Sequence, residues 1–238
     1  MGIKALGNPG DDFVNKFVRA VLSDSTGLDA ASPLPPEIGH TASGGVINEY
    51  TAPPGAIYRS HIFTSTGTFQ ITELGTLGAT VDVLLVGGGG GGGASGGGGG
   101  AGGFLEAPGT PVSVASYPIV VAGGGAGSPA GSNRGGTTPA PAATNGGNTT
   151  GFSLTAYGGG RGGMEAPDGS DRGGGPGGSG GGASGTPATS SDGGGDGNKQ
   201  TGSGTDIPGP QGPQGNNGGG SGNGPSGGGG GAGGVGGT

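Results

Sequence analysis

The chain has 238 residues, a formal net charge of −7 and 74 glycines, with only 27% hydrophobic and 10% charged residues. Ordinary globular domains contain about 45–50% apolar residues, so this composition excludes a conventional hydrophobic core running through the whole chain. The lack of cysteine excludes disulfides and thiolate metal sites, and the lack of a basic block disfavours nucleic-acid binding.

Residues 1–45 are predicted to form an N-terminal unit with one short helix and a proline-containing linker over Asp29–Gly45. Asp11 or Asp12 can cap the helix. An isolated helix of about 14 residues is barely stable, so its apolar face should dock on a surface. Either the chain's own β module or a partner, including a second copy, can provide that surface. The apolar positions recur at helical spacing: Phe13, Val14, Phe17, Val18, Val21 and Leu22.

No targeting or membrane segment is recognisable in the sequence. The amino terminus lacks the apolar stretch of a secretory signal, and no apolar run approaches the roughly 18–20 residues of a membrane helix. We therefore expect no membrane insertion. A protein of this kind that acts outside the cell is expected to be made in the cytoplasm and released by lysis.

Residues 46–122 are predicted to form a β module that leads into the first glycine runs. Residues 57–64 and Thr68–Thr72 alternate with a period of two, and Ala79–Val86 has the pattern of a buried strand. Further strands are predicted at Val112–Val114, Tyr117–Val121 and Phe152–Tyr157. The expected fold class is mainly β, with a small antiparallel β-sandwich of six or seven strands.

The glycine content changes abruptly after Val86, since 63 of the 74 glycines follow it. We predict that residues 123–238 form a bundle of polyglycine-II helices, which have three residues per turn and approach closely because they lack side chains. The alternative is a disordered, flexible tail. A flexible tail does not need the regular non-glycine segments that divide the glycine runs: Ser128–Asn145, Arg161–Arg172, Thr186–Asp192 and Asn198–Gln214.

Several units in which a strand-like stretch meets a glycine run recur along the chain: Ile62–Phe69, Val81–Gly93, Gly96–Gly103, Tyr117–Gly125 and Phe152–Gly160. These units resemble the glycine-rich domain of bacteriophage tail-fibre proteins and host-recognition adhesins. The resemblance covers roughly residues 57–238, and the second half of the chain looks similar to the distal adhesins of T-even-like long tail fibres. The first 45 residues do not match those adhesins.

The resemblance implies a polyglycine-II bundle whose surface loops gather at one end and bind a host receptor. The receptor-binding candidates would then be the large or polar loop residues: Asn133, Arg134, Arg161, Met164, Asp168, Asp171, Arg172, Asp196, Asn198, Lys199 and Gln200. Phe13, Phe17 and Val21 are the candidates for attachment to the virion. The opposing interpretation is that the loops only connect the glycine segments.

Catalysis, cofactors and metals have little support in the sequence. No Gly-Lys-Ser/Thr follows a glycine run, as a phosphate-binding loop would require. His40 and His61 are better explained as surface or strand residues than as catalytic groups. Asp192 and Asp196 lack a repeated calcium-binding pattern. We therefore expect a protein that is not an enzyme and holds no cofactor or metal.

The expected function is that of a phage tail-fibre or tail-tip adhesin located in the virion. Its partners would be other phage tail proteins and a host outer-surface protein or glycan, and it would act as a homotrimer or as a monomer on a trimeric fibre. The main alternative is a structural virion component whose glycine-rich domain is a spacer or decoration. A weaker alternative is an extracellular-matrix or ice-binding protein.

Overall fold

The computed structural model describes residues 37–53, 56–94, 96–129, 141–164, 172–185, 194–195, 213–221 and 226–237. These ranges contain β-strands and no helix, so the predicted mainly β class is confirmed there. The predicted N-terminal helix lies outside them. The strands are β1 (Thr41–Ser43), β2 (Val46–Ala52), β3 (Ala56–Ile62), β4 (Gly67–Glu73), β5 (Thr80–Val86), β6 (Phe104–Pro111), β7 (Ser116–Ile119), β8 (Thr149–Gly151) and β9 (Leu154–Ala156).

All strand pairs are antiparallel, as predicted, and they form four small sheets. β4 is the central strand of a three-stranded sheet, between β1 and β7. The other sheets are the pairs β2–β3, β5–β6 and β8–β9. Within the described ranges, no helix has the length and hydropathy needed to cross a bilayer.

The hydrophobic core is confined to the strand region. Alternation along β4 buries Phe69 and Ile71, which pack with Val112 and Ile119 in a first cluster. A second cluster joins β5, β6 and β9, and Phe152 packs against both clusters. Burying a large apolar side chain contributes about 1.5–3 kcal/mol, so these few residues hold the strand region together. The second cluster consists of Val83, Leu85, Leu105 and Ala156.

Some strands differ from the sequence prediction. Val112–Val114 was predicted as a strand but lies in the connection between β6 and β7, where Ser113 N donates to the Tyr117 hydroxyl over 2.7 Å. Thr41–Ser43, which the sequence placed in the linker, forms β1. β6 was missed because its Pro108, Gly109 and Pro111 argue against a strand. It tolerates them because it pairs only with β5 among the described strands.

Beyond the strands, the glycine runs are joined by backbone hydrogen bonds with a three-residue period. In the first run, Gly87–Gly93, every third N–H donates to the same neighbouring run, and the N–H groups of Gly88 and Gly91 donate to Gly147 O and Thr144 O. In the second run, Gly96–Gly103, every third N–H likewise donates to residues 157–163. The bonds from the first run to the second are Gly87 to Gly103 (2.9 Å), Gly90 to Gly100 (2.8 Å) and Gly93 to Gly97 (3.0 Å).

Close approach of the runs explains why many of these residues are glycine. A Cβ built on Gly90 would collide with the backbone oxygen of Gly160, and one on Gly100 with that of Ser179. At Gly92, by contrast, nothing lies within 4 Å of the added atom. The requirement for glycine therefore depends on the position within a run, and not on the run as a whole.

Candidate binding surface at the far end of the glycine segments

The glycine segments have one end at the β-strands, here called the strand end. Gly87 follows β5, Gly103 precedes β6, and Tyr157 follows β9. Gly87 N donates to Gly103 O over 2.9 Å, and Gly103 N donates to Tyr157 O over 2.7 Å. The sheet termini thus hold three segments side by side in a defined register.

The opposite end, here called the far end, is marked by Gly92, Ser128 and Gly162. Ser128 N donates to Gly92 O over 3.0 Å, and Gly162 N donates to Gly91 O over 2.8 Å. The five residue steps from Gly87 to Gly92 separate this end from the strand end by at most about 18 Å, the reach of a fully extended chain.

Four of the longer connections between the segments are flanked by residues at the far end. Ser184 N donates to Arg172 O over 2.8 Å, and Gly185 N donates to the Ser226 hydroxyl over 3.2 Å. Gly163 N donates to Gly182 O over 2.8 Å, so these termini lie in one layer. The connections that leave and return there are residues 130–140, 165–171, 186–193 and 222–225.

The connection 196–212 differs, because the residue that follows it closely lies at the strand end. Phe104 N donates to Gln214 O over 3.0 Å. Gly195, which precedes the connection, donates to Gly181 O over 2.7 Å. The connection that carries these predicted binding residues is therefore flanked on one side by the strand end, whereas the other four connections are flanked by the far end.

Most of the predicted site residues lie outside the described ranges. The three that are described are Arg161, Met164 and Arg172, all near the far end. The others are Asn133, Arg134, Asp168, Asp171, Asp196, Asn198, Lys199 and Gln200, together with the predicted attachment residues Phe13, Phe17 and Val21.

Arg161 is tied into the segments through its backbone. Its N–H donates to Asn145 Oδ1 over 2.8 Å, and its carbonyl accepts the Gly175 N–H over 2.7 Å. The Asn145 amide also donates to Pro176 O over 3.2 Å. The side chain of Arg161 is half-buried, and its Cγ lies close enough to Gly175 to exclude a Cβ there.

Met164 and Arg172 flank the connection 165–171 on its two sides. Met164 is buried, with 2% of its surface exposed, and Arg172 is half-buried. Among the described residues after 122, the charged side chains are Arg161 and Arg172, both positive. Guanidinium groups suit carboxylate and phosphate oxygens, so these two side chains are of a type that binds anionic or strongly polar groups.

Gln214 is a structural residue that the sequence prediction missed. Its side chain is 2% exposed and bridges to the strand end: Oε1 accepts the Tyr157 N–H over 2.9 Å, and Nε2 donates to Thr155 O over 2.8 Å. The sequence has no signal for this role, since Gln211 and Gln214 occupy equivalent places in successive Gly-Pro-Gln triplets. Only the tertiary structure reveals the role of Gln214.

Clusters of three or more metal-ligating side chains do not occur among the described residues. A family model described as a glycine-rich domain matches residues 64–238. No curated protein matches the chain, and no solved structure does.

Proposed function

The chain belongs to the glycine-rich domain family, and from this premise we propose that it is a non-enzymatic receptor-binding adhesin of a bacteriophage tail fibre or tail tip. One observation carries the proposal: four connections leave and return at the end of the segments remote from the strands. Loops displayed by a rigid scaffold are a common arrangement for recognition.

The scaffold in this proposal is a bundle of polyglycine-II helices. Two observations support it. Hydrogen bonds to a given neighbour recur every three residues, as three residues per turn require. Among the described glycines after Val86, only Gly109, which is in β6, has φ between +20° and +160°. The remaining segments are compatible with the φ of about −75° in that conformation.

The proposed receptor contacts come from connections at the far end. Arg134, Arg161 and Arg172 would supply donors to acidic or hydroxyl groups of a host surface protein or glycan. The other candidates in these connections are Asn133, Asp168 and Asp171. Because Met164 is buried, its role in the proposal is to pack beneath the connection 165–171. Asp196, Asn198, Lys199 and Gln200 form a separate candidate group.

The proposal places the protein in the virion, attached to other phage tail proteins through its amino-terminal segment. It would be made in the host cytoplasm and released by lysis. Several copies, in a homotrimer or as monomers on a trimeric fibre, would raise the avidity of individually weak contacts.

A structural spacer or decoration of the fibre is the second candidate function. The observation that favours it is the integration of Arg161 and Met164 into the segments by hydrogen bonding and burial. In this alternative the far-end connections only link segments, and their chemistry is irrelevant to host recognition.

Replacing residues 130–140 and 165–171 with Gly/Ser sequences of equal length separates the two functions. The replacement leaves the bonded residues 141–164 intact. The adhesin proposal predicts that phage adsorption to the host falls by about tenfold or more, as expected when recognition contacts worth about 1.4 kcal/mol or more are removed.

A matched control changes the exposed Leu74 and Leu77 to Ser in the β4–β5 connection, far from these loops in sequence. Normal adsorption is expected for this variant. If the loop replacements assemble into virions with unchanged adsorption and host range, the adhesin proposal fails and the spacer is favoured.

A further inference from the structure

An apolar cleft of about 630 Å³ lies between two strands that are not bonded to each other, β3 and β5. It is lined by the consecutive residues Tyr58–Phe63 and Val81–Val86. Since successive side chains of a strand point to opposite faces, lining by consecutive residues means that the cleft exposes strand edges.

Both edges are unpaired within the described structure. β3 is bonded to β2, and β5 is bonded to β6, with no other strand partner described for either. Unpaired edges carry free N–H and C=O groups and promote aggregation, so proteins commonly cover them with a helix or another segment.

The lining of the cleft is mostly apolar, with Arg59, His61 and Asp82 as its basic and acidic side chains. Phe69 and Ile119 of the core lie at its floor, while Ile62, Leu84 and Val86 are each about half exposed on its walls. The β2–β3 hairpin beside it has apolar residues exposed as well, including Ile57, which is 75% exposed. A two-stranded hairpin is only marginally stable in water, so this region needs an apolar cover.

The described chain begins beside this cleft. His40 Nε2 lies 3.1 Å from Thr80 O, at the first residue of β5. Ile38 accepts the Thr76 N–H at 2.8 Å through its carbonyl oxygen. The 36 residues before Glu37 therefore join the described structure near the end of the cleft where β5 begins.

The length and composition of the chain before Glu37 indicate which of its segments can cover the cleft. Phe13–Leu22 has an apolar stripe at helical spacing, and a ten-residue helix is about 15 Å long, close to the roughly 20 Å spanned by six residues of a strand. The residues between Leu22 and Glu37 can extend over roughly 45 Å, which is more than the cleft requires.

We propose that Phe13–Leu22 of the same chain docks in the cleft and covers the edges of β3 and β5. The stripe of Phe13, Phe17 and Val21 would contact the apolar walls. This docking makes the amino-terminal segment part of the β module, so Phe13, Phe17 and Val21 would then not themselves contact the virion. It is independent of whether the far end binds a receptor.

Because the chain contains no cysteine, a single introduced thiol reports the cover directly. Leu84→Cys places it in the cleft, and Leu77→Cys places it at a residue outside the cleft lining with nearly equal exposure, 57% against 60%. In the full chain, we expect Leu84→Cys to be alkylated roughly tenfold more slowly than Leu77→Cys, since access then requires local opening.

Adding Phe17→Asp to Leu84→Cys should abolish this protection, while the matched change Asn15→Asp, off the apolar stripe, should preserve it. Equal alkylation of the two thiols would overturn the proposal. So would protection that Phe17→Asp leaves intact, or protection that disappears on dilution, which would indicate a second copy as the cover.

A second measurement does not depend on the stability of the Phe17→Asp variant. In the double variant Phe17→Cys with Leu84→Cys, oxidation should produce an intrachain disulfide, detected by mass spectrometry of the monomer. Exclusively interchain disulfides would contradict docking within one chain.

Discussion

At the scale of single residues, glycine has two different roles within one run. Gly90 is surrounded by neighbouring backbone, so a side chain there must displace the Gly160 carbonyl. Gly92 faces open space and makes no hydrogen bond through its N–H to another described residue. Identical residues two positions apart therefore experience opposite constraints.

We predict that Gly90→Ala lowers the free energy of unfolding by about 2 kcal/mol or more, because overpacking forces the backbone of adjacent segments apart. Gly92→Ala should leave it unchanged or raise it by up to about 1 kcal/mol, since alanine reduces the entropy of the unfolded chain. Denaturant unfolding of the two variants is the measurement. Equal destabilisation by both would contradict the packing described here.

At the scale of elements, the β8–β9 hairpin shows tertiary packing overriding local preference. Its two turn residues, Phe152 and Ser153, have φ of 53° and 61°, where glycine or asparagine is favoured. Phe152 remains there because its ring stacks on Tyr117 at 4.8 Å and lies 5.7 Å from Phe69. The strained turn places an aromatic ring between the two core clusters.

Ser153→Gly is expected to raise the free energy of unfolding by about 1 kcal/mol, since it relieves the backbone strain without removing a core contact. Phe152→Gly relieves the same strain but removes the ring, and should lower it by about 2 kcal/mol or more. Thermal or denaturant unfolding tests this contrast. Stabilisation by Phe152→Gly would show that the ring contributes little to the core.

The two strands that border the first glycine runs show how far pattern alone predicts an element. β5 was predicted because Val81–Val86 is strongly apolar and β-forming. β6 was not, because its prolines and glycine oppose a strand and only its pairing with β5 creates it. Similarly, Arg161 was predicted as a site residue because large side chains are rare in the glycine region. Gln214 gains its role only from the neighbours that the fold brings to it.

At the scale of the whole molecule, the strand core and the glycine segments are stabilised by different interactions. Side-chain burial stabilises the strand region. Backbone hydrogen bonds stabilise the glycine segments, and the bonds to a given neighbouring segment recur every third residue. Because fixing glycine has a large entropic cost, the segments depend on many such bonds acting together.

This arrangement predicts a periodic pattern of amide hydrogen exchange in the first run. Gly88, Gly90 and Gly91 donate to neighbouring segments and should exchange slowly, whereas Gly89 and Gly92 should exchange at rates close to those of an open chain. Residue-resolved exchange by NMR measures this pattern. Uniformly fast exchange over Gly87–Gly93 would exclude the bonded segments.

The sequence by itself determined where side-chain packing gives way to glycine, which strands of strong apolar alternation form, and which few large residues interrupt the runs. These features are local, because they follow from composition and from a period of two or three along the chain. The tertiary structure decided which run bonds to which, which glycines tolerate no side chain, and which connections share the far end. Those features depend on the register between distant segments, and polyglycine carries no side chains from which that register can be read.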